Sequence, residues 1–103
     1  MATRTTIREL KNHIGETVEL RGWVYNIRSS GKLRFLLMRD GSGIVQVVWF
    51  KGNLSEETFT KLDTLTQESS LTLTGKVKED KRSPIGVELD GESLTILQIA
   101  QDY

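Results

Sequence analysis

Cysteine is missing from this sequence, which removes disulfide frameworks, thiolate metal sites and cysteine nucleophiles from consideration. Histidine occurs once, as His13, and a lone imidazole does not make a zinc site, so metal catalysis is not expected. Proline also occurs once, as Pro84. No apolar run approaches the roughly 20 residues that span a bilayer, and the opening MATRTTIREL has no apolar core of the signal-peptide kind. A cytoplasmic protein with no membrane partner is the expectation. An excess of one charge is absent too: 14 Lys and Arg balance 14 Asp and Glu, so the chain lacks the positive field of a protein that grips polyanions indiscriminately. No phosphate-cradling loop, activated nucleophile or paired catalytic acid can be discerned.

What is present is unevenly distributed. Between Arg21 and Lys51 stand Arg21, Arg28, Lys32, Arg34, Arg39 and Lys51 against the single acid Asp40. The next segment, 52–68, carries Glu56, Glu57, Asp63 and Glu68 against Lys61. This is either an ordinary mixed surface or the footprint of an anionic partner. With 103 residues, the chain suits one domain, residues 1–103, around one core.

Hydrophobic periodicity orders the elements. Thr6-Ile7-Arg8-Glu9 has the capping-box pattern, and Ile7, Leu10 and Ile14 share a helical face before Gly15, which predicts a short N-terminal helix. His13 ends that helix without a chemical role. From Thr17 the period becomes two, and a long first strand runs to Arg28 with a bulge expected at Gly22 that bends it and flips its facing. Ser29-Ser30-Gly31-Lys32 is turn chemistry before a second strand, Leu33 to Arg39. Asp40-Gly41-Ser42-Gly43 turns the chain into a third strand, Ile44 to Phe50. Ser55 caps a helix whose Leu54 staples onto Phe59 and whose apolar face continues through Leu62 and Leu65. Leu71, Leu73 and Val77 mark a fourth strand with a bend at Gly75, residues 78–86 an exposed loop, and Val87 to Ile99 a fifth strand kinked at Asp90-Gly91.

Three strands, a helix and two more strands is the order of a five-stranded Greek-key OB-fold barrel, all-β with short helices, which binds oligonucleotides or oligosaccharides on its second and third strands. A two-sheet sandwich or an SH3-like barrel accommodates the intervening helix less well.

Strands two and three are apolar on both faces, yet a small barrel has one interior. Leu36 and Met38 share one face of strand two, opposite Leu33, Phe35, Leu37 and Arg39; on strand three Val45, Val47 and Trp49 oppose Ile44, Gln46, Val48 and Phe50. If the face with Gln46 and Arg39 is external, Phe35 is an exposed stacking platform beside an amide able to read a base edge; a facing shifted by one residue makes it core instead. Arg28 closes the first strand, either as a contact to phosphate or base or as a solvated charge. Lys32, in the adjoining turn, joins it as a candidate RNA-binding residue. Glu88 can accept hydrogen bonds from a guanine edge or be an inert strand glutamate. Trp23 and Trp49 read as core aromatics.

Arg21-Gly22-Trp23-Val24, Arg28, Gly31-Lys32, Phe35 through Gly43 and Val45-Gln46-Val47 together resemble the N-terminal anticodon-binding domain of class IIb aminoacyl-tRNA synthetases, the aspartyl, asparaginyl and lysyl enzymes. The resemblance runs from Ile7 to Ile99. Arg28-Ser29-Ser30-Gly31-Lys32 and the Asp40-Gly41-Ser42-Gly43 run are most similar to the asparaginyl branch, with the aspartyl branch next. The resemblance implies that Phe35 stacks on the central uridine of the anticodon while Gln46 and Arg28 hydrogen-bond that base, that Glu88 lies near the first anticodon base, and that the 78–86 loop lies near the third. It further implies a tRNA anticodon loop, that of tRNA-Asn, as partner. The family's catalytic motifs are absent, so no catalytic residue and no cofactor is expected here; ATP and magnesium belong to a catalytic domain. Because the chain stops at Gln101-Asp102-Tyr103, where such enzymes enter a hinge, it reads as a monomeric piece of a homodimeric ligase. A free-standing relative is the alternative. A general single-strand-binding protein and an oligosaccharide-binding or purely structural barrel are the competing functions.

Overall fold

The computed structural model describes residues 3–98. Its strands are β1 (Thr3–Arg4), β2 (Thr17–Ser30), β3 (Leu33–Arg39), β4 (Ile44–Phe50), β5 (Ser70–Glu79) and β6 (Val87–Gln98), with one α-helix, α1 (Glu56–Leu62), between β4 and β5. The strand order is β1-β2-β3-β4-β6-β5, and β2 also pairs with β5, which closes β2 to β6 into a five-stranded barrel. All pairings within the barrel are antiparallel except β4 with β6, the parallel step of the Greek key. β1 pairs in parallel with the outer end of β2; two residues carry no periodicity, and the sequence gives no sign of it.

The alternation of apolar residues dictates the interior. Val18, Leu20 and Val24 of β2, Leu36 and Met38 of β3, Val45, Val47 and Trp49 of β4, Leu71, Leu73 and Val77 of β5, and Leu89 of β6 all point inward and are buried. Each such side chain contributes about 1.5 to 3 kcal/mol when fully buried. Phe59 and Leu62 of α1 and Leu65 beyond it join this core, as do Ile7 and Leu10. As expected from sequence, Ser55 caps α1, its hydroxyl accepting from the Thr58 N–H at 3.1 Å. Gly91 lies directly beneath the Trp49 indole, where a Cβ would overlap the ring.

Several expectations are corrected. The N-terminal helix, Ile7–His13, is of 3₁₀ type, and Thr6 makes no side-chain cap. Its orphan N–H groups are met from the β3–β4 turn: Ile7 donates to Asp40 Oδ2 at 2.8 Å and Arg8 to Ser42 Oγ at 3.1 Å. The bulge of β2 is not at Gly22, where pairing with β5 runs unbroken from Thr17 to Trp23. It falls at Tyr25, the extra residue between the pairs Val24–Met38 and Asn26–Leu37. Gly22 serves close approach instead, since a Cβ there would overlap the Arg39 carbonyl oxygen. Trp49 is core, but Trp23 is 43% exposed, because Gly22 leaves the phase of β2 unchanged and Trp23 continues the outward row of Arg21. The loop expected at 78–86 begins after Glu79, since Lys78 and Glu79 still pair with Glu88 and Val87. β6 is one continuous strand, as expected, and its pairing with β5 shifts register between Thr74 and Gly75, where Gly75 meets Gly91, and again between Ser70 and Leu71; Ile99, the expected end of that strand, lies outside the described residues.

Candidate nucleic-acid interface

The outward faces of β3 and β4 form the floor of an open groove of about 970 Å³. Phe35, Leu37, Ile44, Gln46 and Val48 line it from these strands, Tyr25 from β2, Lys78 and Glu88 from β5 and β6, and residues 82–85 from the loop that forms one wall. The facing read from periodicity is the one observed: Leu36 and Met38 are fully buried and Phe35 is half-buried on the outer face.

Register sets the layout. Arg28 on β2 and Val48 on β4 flank Phe35, and Gln46 is the partner of Leu37, one outward residue along β3. The Arg28 guanidinium lies 5.4 Å from the centroid of the Phe35 ring, a cation–π distance, and the ring itself lines the groove. The bulge at Tyr25 makes this meeting possible: without the extra residue, the outer row of β2 would present Ile27 rather than Arg28 beside Phe35.

At the far edge Gln46 Nε2 donates to Glu88 Oε2 at 3.2 Å. Lys78 Nζ reaches Glu88 Oε1 at 3.1 Å and Asp90 Oδ1 at 2.9 Å. This pairing raises the Lys78 pKa, first through the Asp90 hydrogen bond, against a smaller cost of burial. At the start of the loop Asp80 Oδ1 accepts the Arg82 backbone N–H at 3.0 Å, the main reason its carboxyl titrates below its ordinary value.

Four of the five sequence-derived residues, Arg28, Phe35, Gln46 and Glu88, therefore converge on one surface. Lys32 does not line the groove; it is exposed in the β2–β3 turn. Sequence reading did not single out Tyr25 or, within the 78–86 segment placed near the third base, Lys78. Tyr25 depends on a bulge with no glycine to signal it, whereas Lys78 could have been found as the cross-strand partner of Glu88 once the last two strands were registered.

The basic stretch is less available than its composition implies. Arg34 Nε pairs with Asp63 at 2.9 Å and lies 4.3 Å over the Phe59 ring, and Arg39 is ion-paired with Glu68. Two acids of the following segment thus neutralise two of the six cations. Among the described residues Arg28 and Lys32 form no ion pair. Nor does any cluster of three His, Asp or Glu suit a metal, and no helix is long and apolar enough to cross a membrane.

The groove lies where an OB-fold receives oligonucleotides. The chain is 48% identical over 98 residues to an asparagine–tRNA ligase of Chloroflexus aurantiacus, an alignment covering 95% of this chain and 22% of that protein. Against the asparagine–tRNA ligase of Symbiobacterium thermophilum it is 47% identical, with the same coverage. The chain thus spans about a fifth of the length of these relatives. Among solved structures, the asparaginyl-tRNA synthetase of Pyrococcus horikoshii superposes with a TM-score of 0.89 at 39% identity, over 100% of this chain and 24% of that one. The aspartyl-tRNA synthetase of Entamoeba histolytica superposes with a TM-score of 0.87 at 26% identity, over 99% and 23%. Residues 18–97 match the tRNA anticodon family described as an OB-fold nucleic acid binding domain, and the chain belongs to that family.

Proposed function

We propose that this domain recognises the anticodon loop of a tRNA, that of tRNA-Asn, as the binding module of an asparagine–tRNA ligase, and that it carries out no covalent step itself. The observation that carries the reading is the half-exposed Phe35 on an apolar groove floor, backed by Arg28 and bordered by the Gln46–Glu88 pair. A flat ring with one face open receives a base by stacking, a contact of about 1 to 3 kcal/mol that tolerates any base. Selection then falls to the polar edge. Gln46 and Arg28 hydrogen-bond the central uridine, Glu88 meets the first base, and Lys32 in the nearby turn approaches the phosphate backbone. ATP and magnesium serve the remainder of the ligase, which acts as a homodimer in the cytoplasm; the domain alone is monomeric.

Fluorescence titration of the domain with the tRNA-Asn anticodon stem-loop, the tRNA-Asp stem-loop, a scrambled loop and poly-dT tests this. Binding strongest to the first is expected. Equal affinity for all four makes the domain a general single-strand binder, and no binding to any of them overturns the proposal.

A further inference from the structure

The Gln46 amide is held in one orientation. Its Nε2 is committed to Glu88 Oε2 at 3.2 Å, and an ionised carboxylate accepts only, so the amide nitrogen must be the atom turned toward it. Oε1 is then the amide atom left for a ligand. Glu88 is itself restrained: its side chain is 12% exposed, and its second oxygen receives Lys78 Nζ at 3.1 Å. Lys78 stands directly opposite Glu88 on β5 and is braced by Asp90 Oδ1 at 2.9 Å. The series Asp90, Lys78, Glu88, Gln46 alternates acceptor and donor without a break and ends at the groove.

We infer that Lys78 is a positioning residue for base selection, acting through Glu88 to present Gln46 Oε1, and not Nε2, to the base stacked on Phe35. The inference rests on the anticodon reading above. Its chemical content is specific. Uridine carries a donor at N3 where cytidine carries an acceptor, so an amide fixed with its oxygen toward the groove accepts from the first and opposes the second. An amide free to turn satisfies either base. Without the ammonium, the Glu88 and Asp90 carboxylates, two residues apart on the outer face of β6, lose the cation that bridges them, Glu88 loses its restraint, and the discrimination is lost while stacking remains.

The experiment uses Lys78→Met, which keeps the aliphatic stem, with Lys78→Arg and Glu88→Gln, in titrations against anticodon stem-loops bearing uridine or cytidine at the central position. Lys78→Met is expected to reduce the uridine preference about tenfold, the scale of one hydrogen bond, while affinity for the cytidine loop changes little. Lys78→Arg should restore the preference. Adding Lys78→Met to Glu88→Gln should cost nothing more, because the two act in series. A readout independent of RNA is the Gln46 side-chain amide pair in a ¹⁵N spectrum of the free protein, which should move in Lys78→Met while core resonances stay in place. An equal loss of affinity for both loops would make Lys78 a direct phosphate contact and overturn the inference. So would an unchanged preference or an unmoved Gln46 resonance. Should the wild-type domain bind neither loop, the anticodon reading falls, and the Gln46 resonance alone still decides whether Lys78 orients the amide. If Lys78→Met fails to fold, Glu88→Gln carries the comparison of uridine with cytidine, its loss of the first-base contact being common to both loops.

Discussion

Adding one methyl group at Gly22 tests how closely β2 and β3 approach. The added Cβ would overlap the Arg39 carbonyl oxygen, lie 3.0 Å from the Arg39 carbonyl carbon and stand 3.1 Å from Met38 Cε. Methyl and carbonyl carbons rest at about 3.5 to 4.0 Å, so the strands must part by about 0.5 Å or more. Met38 can yield by rotating; the Arg39 carbonyl is backbone and cannot. Gly22 has no positive φ, so alanine brings no conformational strain, and the cost is purely steric. Overpacking of this kind costs about 1 to 3 kcal/mol. A domain of about this size loses roughly 4 to 8 °C of melting temperature per kcal/mol, so Gly22→Ala should melt about 4 to 24 °C lower, and Gly22→Val lower still. Thermal unfolding followed by circular dichroism reads this directly. A melting temperature unchanged in both variants would refute the close approach and the account of why glycine stands there.

Phe35→Ala should weaken binding of the anticodon stem-loop by about 1 to 3 kcal/mol. Because the ring is half-exposed, the same change should cost less folding free energy than the roughly 3 to 5 kcal/mol of a core phenylalanine, which one denaturation curve checks. Asp40→Ala removes acceptors from the Ile7 and Ser42 N–H groups and should destabilise by about 0.5 to 2 kcal/mol, seen as faster amide exchange at Ile7. The Asp80 anchor, whose carboxyl titrates below 3.8 chiefly through the Arg82 N–H, should hold the loop above that pH and release it as pH falls through the lowered value; the Arg82 amide resonance reports it. Pyrophosphate exchange with ATP and asparagine should stay at background for this chain.

The barrel was legible because its strands obey a period of two over seven or more residues. Leu36 and Met38, and Val45, Val47 and Trp49, separate cleanly from their outward neighbours, and the excess of apolar residues on the outer face revealed the groove. What failed depended on partners distant in sequence. Thr6 and Glu9 look like a cap, but Asp40 and Ser42, 33 and 34 residues beyond the Ile7 and Arg8 N–H groups that donate to them, supply it. Gly22 looks like a bulge because both a bulge and a close contact require glycine, and only the position of Arg39 distinguishes them. Trp23 reads as core on its size, and its outward place follows from a bulge that lies at Tyr25 and not at Gly22. The groove's electrostatics were least legible. Local composition shows a basic stretch, whereas Asp63 and Glu68 return to cover Arg34 and Arg39.

Those two covered arginines bear on how the domain behaves in a mixture of RNAs. Affinity that comes from displaced counterions changes with salt in proportion to the number of phosphates neutralised. Taking Arg28, beside Phe35, and Lys32, in the adjoining turn, as the two phosphate contacts gives a slope of about −1.4 for log affinity against log salt on a single strand. A surface so nearly neutral gains little from the sheer length of a polyanion. Ribosomal and messenger RNA, though abundant, would occupy it only briefly, and dwell time on any loop would be decided by which bases fit the aromatic floor and its amide edge.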